Sequence, residues 1–111
     1  MLFLIALLRP ARASPTMTAG ANVFVARIEV YTTPYCPFCV RAKALLNSKQ
    51  VTFEEIDVSD DSELRETMVR RAGGRRTVPE IFVNDRIIGG YDELRALELR
   101  GELDVLLAEP A

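Results

Sequence analysis

The chain is 111 residues long, enough for one domain, and its 14 Lys and Arg against 16 Asp and Glu leave a formal net charge of −2. That balance excludes the broad basic surface on which nucleic-acid binding rests. With no His and two Cys, the chain cannot build a His-based catalytic triad, a four-ligand Cys/His zinc site of its own, or the multi-bridge framework of a disulfide-stapled domain.

Met1 to Leu8 (MLFLIALL) is apolar but far shorter than the ~20 residues that span a bilayer. Ala11-Arg12-Ala13 resembles a small-residue cleavage site, yet no basic residue precedes the apolar run, and no acid occurs before Glu29. Residues 1–26 therefore read as an N-terminal extension, either disordered or a targeting segment. A non-functional stretch with Met17 as an alternative start, a signal or anchor, and an organellar transit peptide all stay open. No membrane contact is expected unless this segment anchors the chain.

Residues 27–108 read as the folded domain. Arg27 to Thr32 alternates polar and apolar residues, the period of a strand. Pro37 to Lys49 reads as a helix with proline at its first position, where the missing N–H costs nothing. Val51 to Asp57 is a second alternating strand. Asp60-Asp61-Ser62 opens a second helix that ends at Arg70 and Arg71, an order of charges that suits the helix dipole. Gly73-Gly74 breaks the chain. Glu80 to Val83 and Arg86 to Ile88 then flank Asn84-Asp85, a tight hairpin turn. A third helix runs from about Asp92 to Arg100, stopped by Gly101, and a short helical tail follows from Glu102 to Ala108. The first two strands, joined through a helix, are expected to be parallel, and the last two to form a hairpin. The fold class is α/β, a four-stranded mixed sheet with helices on both faces.

The chemistry centres on Cys36-Pro37-Phe38-Cys39, placed after a strand and at a helix start. Two nearby cysteines are sometimes no more than small buried hydrophobes, but this placement argues for redox work. Thiol–disulfide exchange needs a thiolate, and helix N-termini and Cys-X-X-Cys motifs bring thiol pKa values down to about 3.5–7.5. Cys36 reads as the attacking thiol, and Cys39, one turn inside the helix, as the one that resolves a mixed disulfide. Thr77-Val78-Pro79 is an ordinary strand entry on local grounds alone. Gly89-Gly90-Tyr91-Asp92 reads as a strand-to-helix turn whose glycines allow close backbone approach and whose helix N-terminus suits an anion. Arg70, Arg71, Arg75 and Arg76 are either a solvated cluster that complements the dipole or receivers of a ligand carboxylate.

Cys36-Pro37-Phe38-Cys39, Arg41-Ala42-Lys43-Ala44-Leu45-Leu46, Thr77-Val78-Pro79 and Gly89-Gly90-Tyr91-Asp92, in this order and spacing, resemble the glutaredoxin family, most of all its bacterial glutaredoxin 3 type. The likeness runs from about Arg27 to Leu107. It implies the thioredoxin fold with Pro79 cis and facing the cysteine pair, and glutathione as co-substrate, carried as a mixed disulfide on Cys36. Glutathione is expected along Thr77-Val78-Pro79, with the backbone of Val78 pairing to its cysteinyl part. Gly90, Tyr91 and Asp92 would hold the γ-glutamyl end, Arg75 or Arg76 the glycyl carboxylate, and Phe38 would be an aromatic wall.

One departure is Thr33, where many members carry Lys three residues before the first cysteine. Its roles would pass to the helix N-terminus and to Arg75 or Arg76. The expected activity is reduction of protein disulfides and glutathione-mixed disulfides in the cytoplasm, by a monomer with no resident metal. The midpoint range of such proteins, about −200 to −230 mV, is near-isoenergetic with the glutathione pool. Two competing functions are a redoxin served by thioredoxin reductase and a dimeric iron–sulfur carrier, for which Pro37 and Cys39 are the wrong residues. A glutathione transferase would need a helical second domain for which no room remains.

Overall fold

Every residue of β1 (Ile28–Thr32) is buried, which a strand achieves only inside a sheet with both faces covered. The computed structural model describes residues 25–111, so the expected N-terminal extension lies almost wholly outside the described residues. After β1 come α1 (Pro37–Ser48), β2 (Glu54–Asp57), α2 (Ser62–Arg71), β3 (Glu80–Val83), β4 (Arg86–Gly89), α3 (Tyr91–Leu99) and α4 (Leu103–Leu107). The sheet order is β2-β1-β3-β4. β1 runs parallel to β2, with Tyr31 opposite Ile56, and antiparallel to β3, with Tyr31 opposite Glu80. β3 and β4 form the hairpin.

Alternate residues of the central strands feed two cores. Ile28, Val30, Ile81 and Val83 pack with Ala42 and Leu46 of α1, Leu94 of α3, and Leu103 and Leu107 of α4. Tyr31 and Phe82 pack on the opposite face with Met68 and Val69 of α2. Full burial of one such aliphatic or aromatic side chain contributes about 1.5–3 kcal/mol, so both faces are firmly covered. Local signals act as expected at two places. Asp61 caps α2 by accepting from the Leu64 N–H at 3.0 Å. Asn84 and Asp85 have φ of 51° and 68°, the left-handed pair that a tight two-residue hairpin turn demands.

Two local readings differ from the structure. β2 begins at Glu54, not Val51. The backbone leaves α1 through Gln50 at φ 60°, and Val51 turns into the core instead of joining the ladder. In β1, Glu29 is only 8% exposed, although alternation would place it in water. Arg71 of α2 covers it with two hydrogen bonds, at 2.8 and 3.3 Å, and also donates to Tyr31 Oη at 2.9 Å.

Candidate active site

The link from β1 to α1 ends on Cys36, the N-cap of α1, in extended conformation (φ −114°, ψ 107°). Its sulfur does what a serine or aspartate oxygen usually does at that position. Sγ accepts the Cys39 N–H at 3.0 Å, a bond that an anionic sulfur accepts more strongly than a thiol. Pro37 follows at the first helical position. Cys36 is partly exposed and its thiol lies 3.7 Å from the Val78 carbonyl oxygen, to which it donates.

Cys39 is far more enclosed than its partner. It is 1% exposed, and burial, reinforced by the hydrogen bond with Cys36, pushes its thiol pKa up to about 12. The Thr33 backbone N–H and the charge of Lys43, one turn further along α1, pull weakly the other way. Lys43 is in turn engaged by Glu55 at 2.8 Å, and Glu55 also accepts from the buried Thr32 hydroxyl at 2.8 Å. The pair therefore consists of one reachable sulfur with an N–H aimed at it and one shielded thiol beneath it.

Val78 ties the sulfur to a cleft of about 250 Å³ beside it. The Val78–Pro79 peptide is cis, the form the resemblance implies. Three parts of the chain line the cleft: Phe38 from α1, Arg75 with Thr77, Val78 and Pro79 from the loop before β3, and Gly90, Tyr91, Asp92 and Glu93 from the start of α3. The Phe38 and Tyr91 rings stand 6.3 Å apart, and the Arg41 guanidinium lies 5.2 Å from the centre of the Phe38 ring. Gly90 caps α3 in extended conformation, and its N–H donates to Glu93 Oε1 at 2.7 Å. That bond, together with Arg75, holds the Glu93 carboxyl below the usual range.

The four arginines of the sequence cluster have separate fates. Arg75 borders the cleft, with Glu80 and Glu93 each 3.7 Å from its guanidinium. Arg76 pairs with Glu66 of α2 at 3.3 Å and does not line the cleft. Arg70 donates to Thr67, and Arg71 lies over the Phe82 ring on the other core, bonded to Glu29. Sequence reasoning missed Glu80 and Glu93. Glu93 stands three residues after the cap, the position of a capping-box acid, and Glu80 is an acid at the head of an otherwise apolar strand.

A family model for glutaredoxin matches residues 28–88, a span holding both cysteines and the cis proline. The chain belongs to the glutaredoxin family. It is 55% identical over 90 residues to a chain of Synechocystis sp. named "probable glutaredoxin", covering 81% of this chain and 83% of that one. It is 51% identical over 83 residues to glutaredoxin 3 of Escherichia coli K12, covering 75% of this chain and 99% of that one. The buckwheat glutaredoxin–glutathione complex superposes with a TM-score of 0.67 at 26% identity, covering 77% of this chain and 79% of the other. Glutaredoxin family and thioredoxin fold together make the chain a thiol–disulfide oxidoreductase. Among the described residues, no helix is long and apolar enough to cross a membrane.

Proposed function

We propose that this glutaredoxin-family chain reduces glutathione-mixed disulfides and protein disulfides, with glutathione as the electron source. The observation that carries the reading is the reachable sulfur of Cys36 tied through Val78 to a cleft bordered by an arginine and a helix N-terminus. Glutathione has a thiol between two carboxylate-bearing ends, and the cleft offers a partner for each part. The Val78 backbone suits its cysteinyl unit, the α3 N-terminus at Gly90, Tyr91 and Asp92 its γ-glutamyl end, and Arg75 its glycyl carboxylate. Thr77, Pro79 and the Phe38 ring complete the walls. The glutathione complex of the buckwheat relative supports this assignment. Arg76 is the weaker candidate, because Glu66 already engages it.

In the first step the Cys36 thiolate attacks the glutathione sulfur of a mixed disulfide. The Cys36–glutathione disulfide forms, the old S–S bond breaks, and the substrate leaves as a thiolate that takes a proton from water. A second glutathione thiolate then attacks the bound glutathione sulfur, giving glutathione disulfide and restoring the Cys36 thiolate. With a protein disulfide, the Cys36 thiolate attacks one substrate sulfur, breaking that disulfide and freeing its other sulfur as a thiolate, and Cys39 then loses its proton and attacks Cys36 in the Cys36–substrate disulfide. The substrate leaves with both sulfurs reduced and the electrons have come from the Cys36–Cys39 pair, which two glutathiones then restore. Residues 27–108 are the working unit, active as a monomer, and the need for reduced glutathione favours the cytoplasm, or an organelle matrix if the N-terminal segment is a transit peptide.

The test is NADPH oxidation coupled through glutathione and glutathione reductase, with hydroxyethyl disulfide as substrate. Wild type is run beside Cys36→Ser and Cys39→Ser. Activity abolished by Cys36→Ser and partly kept by Cys39→Ser is the expected result. A folded wild-type protein that is inactive with glutathione but active with thioredoxin reductase would overturn the reading.

A further inference from the structure

Glu80 has no place in the reaction just described, and its situation is costly. The residue is 0% exposed, and neither carboxylate oxygen has a hydrogen-bond partner among the described residues. A buried polar group left so is destabilising, and more so when it is charged. Its chain neighbour Pro79 is a wall of the cleft. Its closest charge is the Arg75 guanidinium, with Nε 3.7 Å from Glu80 Oε2.

Arg75 sits in turn between two carboxylates. Glu93 Oε1 lies 3.7 Å from Nη2, beyond hydrogen-bond reach, and is already occupied by the Gly90 N–H. Among the described residues, Arg75 thus makes no side-chain hydrogen bond, and its donors stay open towards the cleft. The packing keeps this arrangement clear. Gly89 has φ +117°, and a Cβ there would stand 2.8 Å from Glu93 Oε1 and 3.0 Å from Arg75 Nη1.

We propose that Glu80 is a positioning residue that sets how strongly Arg75 receives an anionic ligand: ionised, it competes with the incoming carboxylate for the guanidinium, and protonated, it withdraws. The inference rests on the glutathione reading above and names the residue that tunes it. Burial pushes the Glu80 carboxyl above the usual range, Glu93 adds to the rise and Arg75 opposes it. The charged groups that reach Glu80 are Arg75 from the loop and Glu93 from α3. Its register partner on β1 is Tyr31, whose hydroxyl accepts from Arg71 of α2. An arginine stays charged throughout, and Glu93 is held in its ionised form by the Gly90 N–H. Glu80 is therefore the member of the Arg75 cluster whose charge changes as pH rises from the carboxylate range.

The sign follows directly. Below the Glu80 titration the ligand carboxylate meets an uncontested guanidinium, and above it a competing negative charge lies behind the same group. Affinity for an anionic ligand falls as pH rises, and binding within that window takes up protons. The expected size is about five- to tenfold, the low end of ordinary coupling between sites.

The experiment measures S-methylglutathione binding by calorimetry from the ordinary carboxylate range upward to about pH 8, the direction in which burial displaces the Glu80 carboxyl. Cys36→Ser protein is compared with Cys36→Ser/Glu80→Gln, so that thiolate titration at Cys36 plays no part. We expect the first to lose about five- to tenfold affinity across the range. The second should keep a flat profile at the tighter value. A uniform loss with Glu80→Gln at every pH, or equal slopes in both proteins, overturns the proposal and leaves the glutathione reading standing. A second measurement needs no change at Glu80. The carboxyl carbon resonance of Glu80 is titrated with and without S-methylglutathione, and a midpoint that does not rise on binding overturns the proposal. No binding at any pH overturns the glutathione reading, and the proposal with it.

Discussion

The two cysteines should differ in alkylation rate, because burial, reinforced by the hydrogen bond with Cys36, holds the Cys39 thiol protonated. Only a thiolate is alkylated, and the Cys39 thiol is pushed from an ordinary 9.0 up to about 12. Near neutral pH that gap lowers the thiolate fraction roughly a thousandfold, at tenfold per pKa unit. Part is returned, because intrinsic nucleophilicity rises with pKa with a slope of about 0.4–0.5, or roughly twentyfold over the same gap. The net effect is about a fiftyfold slower reaction than an ordinary thiol, before any shielding of a side chain that is 1% exposed. The assay is timed iodoacetamide labelling of reduced protein, read by peptide mass spectrometry. Cys39 is read at its own peptide in the wild-type protein, where its contact with Cys36 is intact, and an unfolded control supplies the reference rate. We expect wild type to acquire one label at Cys36 while Cys39 stays nearly untouched, and the Cys39 rate to climb about tenfold per pH unit. A Cys39 rate within about tenfold of the unfolded control would refute the reasoning, because desolvation would then not govern the thiol.

Two further substitutions test the frame around the site. Arg71→Ala should destabilise the domain by about 2–4 kcal/mol, because it strips a buried carboxylate of its main partner, leaving Glu29 with Arg27 at 3.2 Å. Thermal unfolding should register this as a drop of roughly 10–20 °C, whereas Arg70→Ala on the exposed side should stay within about 0.5 kcal/mol. Asn84→Ala should cost about 2 kcal/mol, from a left-handed backbone position and lost side-chain hydrogen bonds. Those bonds run to the Arg27 N–H and to the carbonyls of Glu109 and Pro110. Asn84→Gly should recover the backbone part alone, and urea unfolding that ranks Gly no better than Ala would reject the turn argument.

The asymmetry of the cysteine pair also bears on turnover. A buried thiol with a high pKa is slow to attack until its proton leaves, so in the proposed cycle a Cys36–glutathione disulfide would have time to meet a second glutathione. The cleft beside Val78 and the shielding of Cys39 therefore favour the same outcome, exchange at Cys36 with the second sulfur held in reserve.

What could be read from the residues is what is encoded locally. The order of strands and helices followed from periodicity and caps, the hairpin from Asn84-Asp85, and the redox pair from two cysteines three apart at a helix start. Each is a property of a few adjacent residues, so each survives without knowledge of the rest of the chain. The tertiary structure decided whatever depends on distant segments meeting. Arg75 and Arg76 are chemically identical neighbours, and the path of the loop past Glu66 and Glu93 determines which one borders the cleft. Glu29 reads as a solvent residue until Arg71, on a helix after the next strand, covers it. Val51 reads as strand until the left-handed turn at Gln50 sends it under the sheet. The same holds for Cys39 and Glu80. Sequence supplied their chemical identity, and burial by remote side chains set their charge, because desolvation is a property of everything around a group and not of its neighbours in the chain.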